Sequence, residues 1–388
     1  MKYSPFFLVA IATALLTVAD AHTIFTTLFI NNVSQGDGTC VRMSMDPQHC
    51  TSPIAGLDSD DMACGVDGEK PVAFTCPAPA GGKLTFEWRT WADAEQPGSI
   101  DKSHKGPCAV YAKQVKDIAT DSAAGPGWIK LWEEGYDESS GKWCTEKLID
   151  NNGLMSVDIP ESLPGGSWLF RPELLALHQA DKGDPQFYTG CAQVFIDSGN
   201  TAALDVPKEY SVSIPGYVQV GEPAVSFNIY QPQFPYPMPG PKVYKPAKPK
   251  GMAAFTSTST SSKALKQTEG NIPANYLIKN ANWVGVEVSS YSTEDGCWKA
   301  SEECWNQAKG CYDSAPPTGS ANCRVWESKC DGISDACSAG DFDGPPNKGQ
   351  KLQNEDPTPP EKIPGAADGS GSRKMRARRA RALVSALS

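Results

Sequence analysis

The sequence predicts a mainly β protein: an immunoglobulin-like antiparallel β-sandwich with long loops, joined to a small disulfide-stapled α-helical hairpin near the C-terminus. Three observations lead there. Residues 22–242 carry period-two hydrophobic runs separated by Gly/Pro/Asp/Asn turns, with no long helical period. The chain holds 35 Gly and 32 Pro, a turn-rich composition. Beyond the sandwich, six cysteines recur at intervals of seven, nearly two helical turns.

The N-terminal segment, residues 1–21, reads as an export signal. Lys2 precedes an apolar run from Phe6 to Val18, and small residues stand at Ala19 and Ala21. The run is too short for a permanent membrane span. Cleavage after Ala21 would make His22 the first residue, with a free α-amine and an imidazole on one residue. Those nitrogens can close a chelate ring around one transition metal, which an internal histidine cannot do. The plain alternative is an ordinary terminal histidine.

In the sandwich region Leu84, Phe86 and Trp88 alternate with Thr85, Glu87 and Arg89, predicting one buried and one wet face. Strands are also expected at Ala109–Val115, Ala192–Ile196, Tyr217–Val220 and Val225–Tyr230, with Gln186–Ile196 as one continuous strand. About 220 residues of short strands suit a sandwich. Residues 243–284 follow as a Pro- and Ser/Thr-rich linker, including the tract at 256–262.

The hairpin is expected over residues 285–342. Ser292 or Thr293 can cap its first helix, with Glu294 and Asp295 in the first turn. Asp313–Ser320, with Pro316, Pro317 and Gly319, supplies the turn. Two inward-facing trios can then pair only in nested fashion, as Cys297–Cys337, Cys304–Cys330 and Cys311–Cys323. The apolar content is thin, so the bridges would replace burial. Trp298, Trp305 and Tyr312 also recur every seven residues. They are expected to pack as core, a binding strip being the alternative, and the 285–345 segment is expected to stay unbound in a pull-down on insoluble polymers. Residues 343–388 read as a disordered tail with a basic end between Arg373 and Arg381.

Thirteen cysteines behind a signal peptide imply a secreted, extracellular, oxidised protein, with an odd thiol left over. A net charge of −10 argues against nucleic acid and anionic membranes as partners, and leaves neutral polymers open. Asn32-Val33-Ser34 is a glycosylation acceptor.

Four histidines, 22, 49, 104 and 178, limit any metal site. His104 lies in the loop Ser103-His104-Lys105-Gly106-Pro107. His178 closes Leu174–His178 shortly before Gln186-Phe187-Tyr188, where period two puts Gln186 and Tyr188 on one face. His49 reads as structural or surface. Two imidazoles and an amine suit copper, with zinc the alternative metal. These residues alone leave open whether His178 is a ligand or an outer partner.

The start His22-Thr-Ile-Phe25, the block Gly98–Pro107 around His104, Ala176-Leu-His178, and Gln186-Phe-Tyr188-Thr-Gly-Cys191-Ala-Gln193 resemble fungal lytic polysaccharide monooxygenases of auxiliary activity family 9, formerly glycoside hydrolase family 61. The resemblance covers residues 22–242 and ends in the similar Tyr236–Pro241. It implies one copper ion held by the amine and ring of His22 and by the ring of His104, with Tyr188 axial. It also implies His178 and Gln186 as outer hydrogen-bonding residues, and Tyr236 as a substrate-stacking ring unless it packs on the sandwich edge. The implied activity is hydroxylation at carbon one and/or carbon four of β-1,4-glucan: cellulose, or hemicellulose as a further substrate. A small reductant or cellobiose dehydrogenase would drive it with O2 or H2O2, and the protein would act as a monomer. The resemblance carries a Cys64–Cys191 bridge. Cys108–Cys144 is expected as a second, while Cys40, Cys50 and Cys76 stay unassigned. Arg171-Pro172-Glu173 stands where many members have a histidine, which is not a ligand position. Two other classes compete: a non-catalytic copper- or glycan-binding wall protein, and a glycoside hydrolase, for which no stretch marks out a carboxylate pair.

Overall fold

The computed structural model describes residues 22–246, 265–355, 357 and 363–365. The signal segment, the Ser/Thr tract and the basic end lie outside the described residues. Two sheets face each other. The smaller has four antiparallel strands in the order Leu154–Asp158, Lys83–Arg89, Ile24–Ile30, Val33–Asp37. The main path of the larger runs Ser211–Ile214, Gly125–Glu134, Cys108–Gln114, Gly166–Ala176, Cys191–Asp197, Val41–Arg42. One pair departs from the antiparallel expectation: Cys76–Pro79 runs parallel to Cys191–Asp197.

Phe25, Leu28, Leu84, Phe86 and Trp88 meet Val110, Trp168, Phe170, Leu174 and Val194 between the sheets, all nearly solvent-free. The wet face expected of the Lys83–Arg89 strand is also buried. Thr85 bonds Ser156 at 2.7 Å, and Arg89 reaches Asp37 at 2.5 Å and Glu87 at 2.9 Å. Paired charges can be covered where lone ones cannot.

Residues 217–220 and 225–230 are turns rather than strands. Their apolar pattern reports burial of Tyr217, Val218, Val225 and Phe227, not ladder pairing. The single strand expected over 186–196 is two, Gln186–Thr189 and Cys191–Asp197, broken at Gly190. The break stands opposite Arg171-Pro172 of the partner strand, where Pro172 has no N–H to donate.

The C-terminal module begins earlier than expected. Tyr276–Asn280 and Trp283–Val286 form a β-hairpin that begins inside the stretch read as linker and crosses its end at residue 284. Its strands lie against helices Glu294–Ser314 and Ala321–Ser338, and Gly285 leaves room for the Trp326 ring. Thr293 caps the first helix, its hydroxyl accepting from the Gly296 N–H at 3.2 Å. The helices are bridged by Cys297–Cys337, Cys304–Cys330 and Cys311–Cys323. Residues 343–355, read as disordered, pair with the module: Gly344 with Tyr291, the Leu352 N–H with the Leu277 carbonyl at 3.0 Å, and the Glu355 N–H with the Asn322 side chain at 2.8 Å. These backbone contacts need no hydrophobic period, so a compositional reading does not register them.

The module is fastened to the sandwich. The Cys40 N–H donates to Asn282 Oδ1 at 3.0 Å, Asn282 Nδ2 donates to the Gly38 carbonyl at 2.7 Å, and the Thr39 hydroxyl donates to the Ala281 carbonyl at 3.0 Å. Cys40 is bridged to Cys76, leaving Cys50 as the free thiol. Burial raises that thiol to about 11 and so disfavours the reactive thiolate. Among the described residues no helix is long and apolar enough to cross a membrane.

Trp298, Trp305 and Tyr312 are not core. They are 44%, 39% and 37% exposed, because Cys297, Ala300, Cys304, Ala308 and Cys311 take the inner face of their helix.

Candidate metal centre

His22 leads into the strand Ile24–Ile30 at one end of the smaller sheet. The next residue fixes its place: the Thr23 N–H donates to the Thr51 carbonyl at 3.2 Å, and the Thr23 hydroxyl donates to the Ser99 carbonyl at 2.5 Å. Ser99 opens the loop that carries His104. Asp101 turns that loop by accepting from the Ser103 N–H at 2.8 Å, while the His104 N–H donates to the Asp101 carbonyl at 3.0 Å. Hydrogen bonds from the Ser103 side chain and from its N–H hold the Asp101 carboxyl below its usual range.

After His104 the chain meets the end of the Gly166–Ala176 strand. Leu177 donates to the Lys105 carbonyl at 2.9 Å and Leu175 to the Pro107 carbonyl at 3.1 Å. Only glycine fits at 106, where an added Cβ would lie 1.8 Å from the Leu175 carbonyl oxygen. Two distant segments are thereby drawn together, and the His104 and His178 ring centroids lie 4.2 Å apart, the rings tilted by 35°.

The His22 and His104 ring centroids are 6.3 Å apart, near perpendicular. The Tyr188 ring lies 6.2 Å from His22 and 6.0 Å from His104. The structure therefore brings His22, His104, His178, Gln186 and Tyr188 to one point. His49 is an exposed turn residue paired with Asp46 at 2.8 Å.

His104 is 3% exposed, and its two nitrogens differ. Nδ1 lies 3.1 Å from the Ser103 hydroxyl; Nε2 is buried and makes no hydrogen bond. Burial, reinforced by His178, lowers this imidazole to about 4, with Asp101 acting the other way. The ring therefore stays neutral near pH 7. Burial also lowers His178, whose Nδ1 is likewise buried without a partner. Tyr188 donates its phenol proton to Gln186 Oε1 at 2.8 Å. Burial raises the Tyr188 phenol far above its ordinary value, which keeps it a neutral, weak donor.

Behind this cluster the Cys64–Cys191 bridge ties the short helix Asp61–Cys64 to the chain just past Tyr188. Arg171, fully buried, donates to the Met62 carbonyl at 2.8 Å and pairs with Glu173 at 2.5 Å. Cys108–Cys144 fastens the strand that follows His104.

Tyr236 is not free to stack on a sugar. Its ring meets Trp143 and Phe227 edge-on at 5.0 Å, and its hydroxyl donates to the Ala224 carbonyl at 2.7 Å. Two residues beside the site escaped sequence reasoning. Ser103 orients His104, and its adjacency in sequence was the available signal. Tyr230, 65% exposed, donates its hydroxyl to the His178 carbonyl at 3.1 Å, and nothing local marks it. Asn32 is exposed in the turn after Ile24–Ile30.

The two-sheet sandwich thus gathers histidines, a glutamine and a buried tyrosine at one edge. The model of auxiliary activity family 9, formerly GH61, matches residues 22–236. The chain is 54% identical over 356 residues to AA9 family lytic polysaccharide monooxygenase H of Botryotinia fuckeliana (strain B05.10), covering 89% of this chain and 79% of that one. It is 50% identical to AA9 family lytic polysaccharide monooxygenase C of Aspergillus tamarii, covering 90% and 92%. The solved structure of CvAA9A superposes with a TM-score of 0.52 at 34% identity, covering 57% of this chain and 98% of that one. The chain belongs to auxiliary activity family 9: it is a lytic polysaccharide monooxygenase, an enzyme of oxidative polysaccharide cleavage.

Proposed function

We propose that this enzyme is secreted, is cut after Ala21, and binds one copper ion through the α-amine and ring of His22 and through Nε2 of His104. The observation that carries the reading is the buried, neutral, unpartnered Nε2 of His104, on a ring whose centroid is 6.3 Å from that of His22. The α-amine of His22 would supply a third nitrogen, a donor set that suits copper. When bound, copper would supply one-electron redox chemistry and activation of O2 or H2O2, with electrons from a small reductant or cellobiose dehydrogenase.

The chain's own residues supply position and protons. Ser103 holds the His104 ring so that Nε2 faces the site. Tyr188 closes the inner side with a neutral phenol. Gln186 offers an amide N–H, and His178 a ring held beside His104, to orient a bound oxygen species. The substrate is proposed to be β-1,4-glucan, hydroxylated at carbon one and/or carbon four beside the glycosidic bond. Because Tyr236 is packed, ring contact with the sugar falls to exposed Tyr230. Asn32 would carry a glycan.

The test is mass spectrometry of oligosaccharides released from cellulose by the copper-loaded enzyme. Oxidised ends that appear only with ascorbate support the reading. Unoxidised ends formed without reductant would mean a hydrolase, and no release would mean a binding protein.

A further inference from the structure

We propose that Trp298, Trp305 and Tyr312 form a cellulose-binding strip on the C-terminal module. The polymer rests on the β-1,4-glucan reading above; the strip itself rests on the module's geometry.

On the helix Glu294–Ser314, residues seven apart are about 10.5 Å apart along the axis, at 1.5 Å per residue. That is close to one disaccharide repeat of an extended β-1,4-linked chain, so three rings would meet every second sugar over two repeats. The helical phase drifts by only about 20° per seven residues, which keeps all three on one side. Each ring directly follows a half-cystine: Trp298 after Cys297, Trp305 after Cys304, Tyr312 after Cys311. The disulfide ladder thus fixes the backbone beneath every ring.

Two rings are also held at their polar ends against the second helix. Trp305 Nε1 donates to the Ser334 hydroxyl at 3.3 Å, and the Tyr312 hydroxyl donates to Glu327 at 2.6 Å. Ser334 is itself fixed by Ser301 at 2.9 Å and by the Cys330 carbonyl at 3.0 Å. Rings restrained in this way lose little freedom on binding. The module does not need them for its core, which is centred on Trp326, fully buried against Trp283. Three large exposed aromatics in one row call for a covering partner.

Charge selects that partner. The helix carries Glu294, Asp295, Glu302, Glu303 and Asp313 against Lys299 and Lys309, an excess of acid that repels polyanions but not a neutral glycan. Aromatic faces match the apolar faces of glucose rings and demand no charge. The module's hydrogen bonds to Gly38, Thr39 and Cys40 would keep a bound polymer close to the sandwich.

The experiment compares full-length, copper-loaded enzyme with the variants W298A/W305A/Y312A and W298F/W305F/Y312F. Partition onto microcrystalline cellulose is measured beside partition onto chitin, light scattering, thermal melting and copper titration. The expected result is a roughly tenfold or greater loss of cellulose partition in the alanine variant. The phenylalanine variant should recover most of it, with melting and copper affinity unchanged. Cellulose retention equal to the parent's in the alanine variant would overturn the proposal. So would rings that affect only chitin retention or only self-association. A parent that partitions through the rings yet releases no oxidised sugars would sink the functional reading and leave the strip standing.

Discussion

Replacing His104 with alanine would remove one of the three proposed nitrogen donors, and copper affinity is expected to fall by more than about 100-fold. Even outer partners of metal ligands are worth roughly 10–100-fold, so a ligand itself sets a higher floor. Release of oxidised oligosaccharides should drop to background at the same time. Ser103→Ala provides the graded comparison, since it leaves Nε2 in place and removes only the hydroxyl 3.1 Å from Nδ1. Its expected cost lies within that 10–100-fold range. Calorimetric copper titration of both variants, with circular dichroism to confirm the fold, checks the order. An alanine at 104 that binds copper as the parent does would remove His104 from the ligand set.

The second large effect concerns the module. Its core is small, and Cys304–Cys330 is the middle rung of the ladder. Replacing both cysteines with alanine is expected to cost about 2–5 kcal/mol of module stability. For a unit of this size that lowers its melting temperature by roughly 10–30 °C. Calorimetry should resolve an early transition for the module while the copper-bound sandwich melts where it did. A single unshifted transition would mean that packing against the sandwich, through Asn282 and Thr39, already supplies the stability assigned to the bridge.

Much of the fold was legible where a residue pattern maps onto one contact. Leu84, Phe86 and Trp88 alternate and are buried between sheets. Cysteines at intervals of seven could face inward only as nested rungs, and they do. The pattern misled where burial and pairing part company. Tyr217, Val218, Val225 and Phe227 read as strand because they are apolar, yet they fill the core from turns. The hairpin Tyr276–Val286 went unseen because its second layer, Trp326, arrives forty residues later. The aromatic stripe was assigned to the core on spacing alone. A residue next to an inward cysteine points about 100° away from it, so Trp298, Trp305 and Tyr312 could not share the cysteine face.

At the site, the residue types and the period-two relation of Gln186 and Tyr188 were readable, and so was the resemblance around His104. The closeness of His178 to His104 was not, because it depends on Gly106 meeting the Leu175 carbonyl across the sheet. Tyr236 shows the limit of carrying a role over by motif: Trp143 and Phe227 claim the ring first.

Copper binding as proposed depends most directly on the His22 amine, and a copper titration isolates it. Two proteins are compared by calorimetry, one beginning at His22 and one with a single additional residue ahead of it. The first is expected to bind one Cu(II) at least about 100-fold more tightly, because only there do amine and ring close a chelate on one residue. Equal affinity for the two would contradict the proposed site.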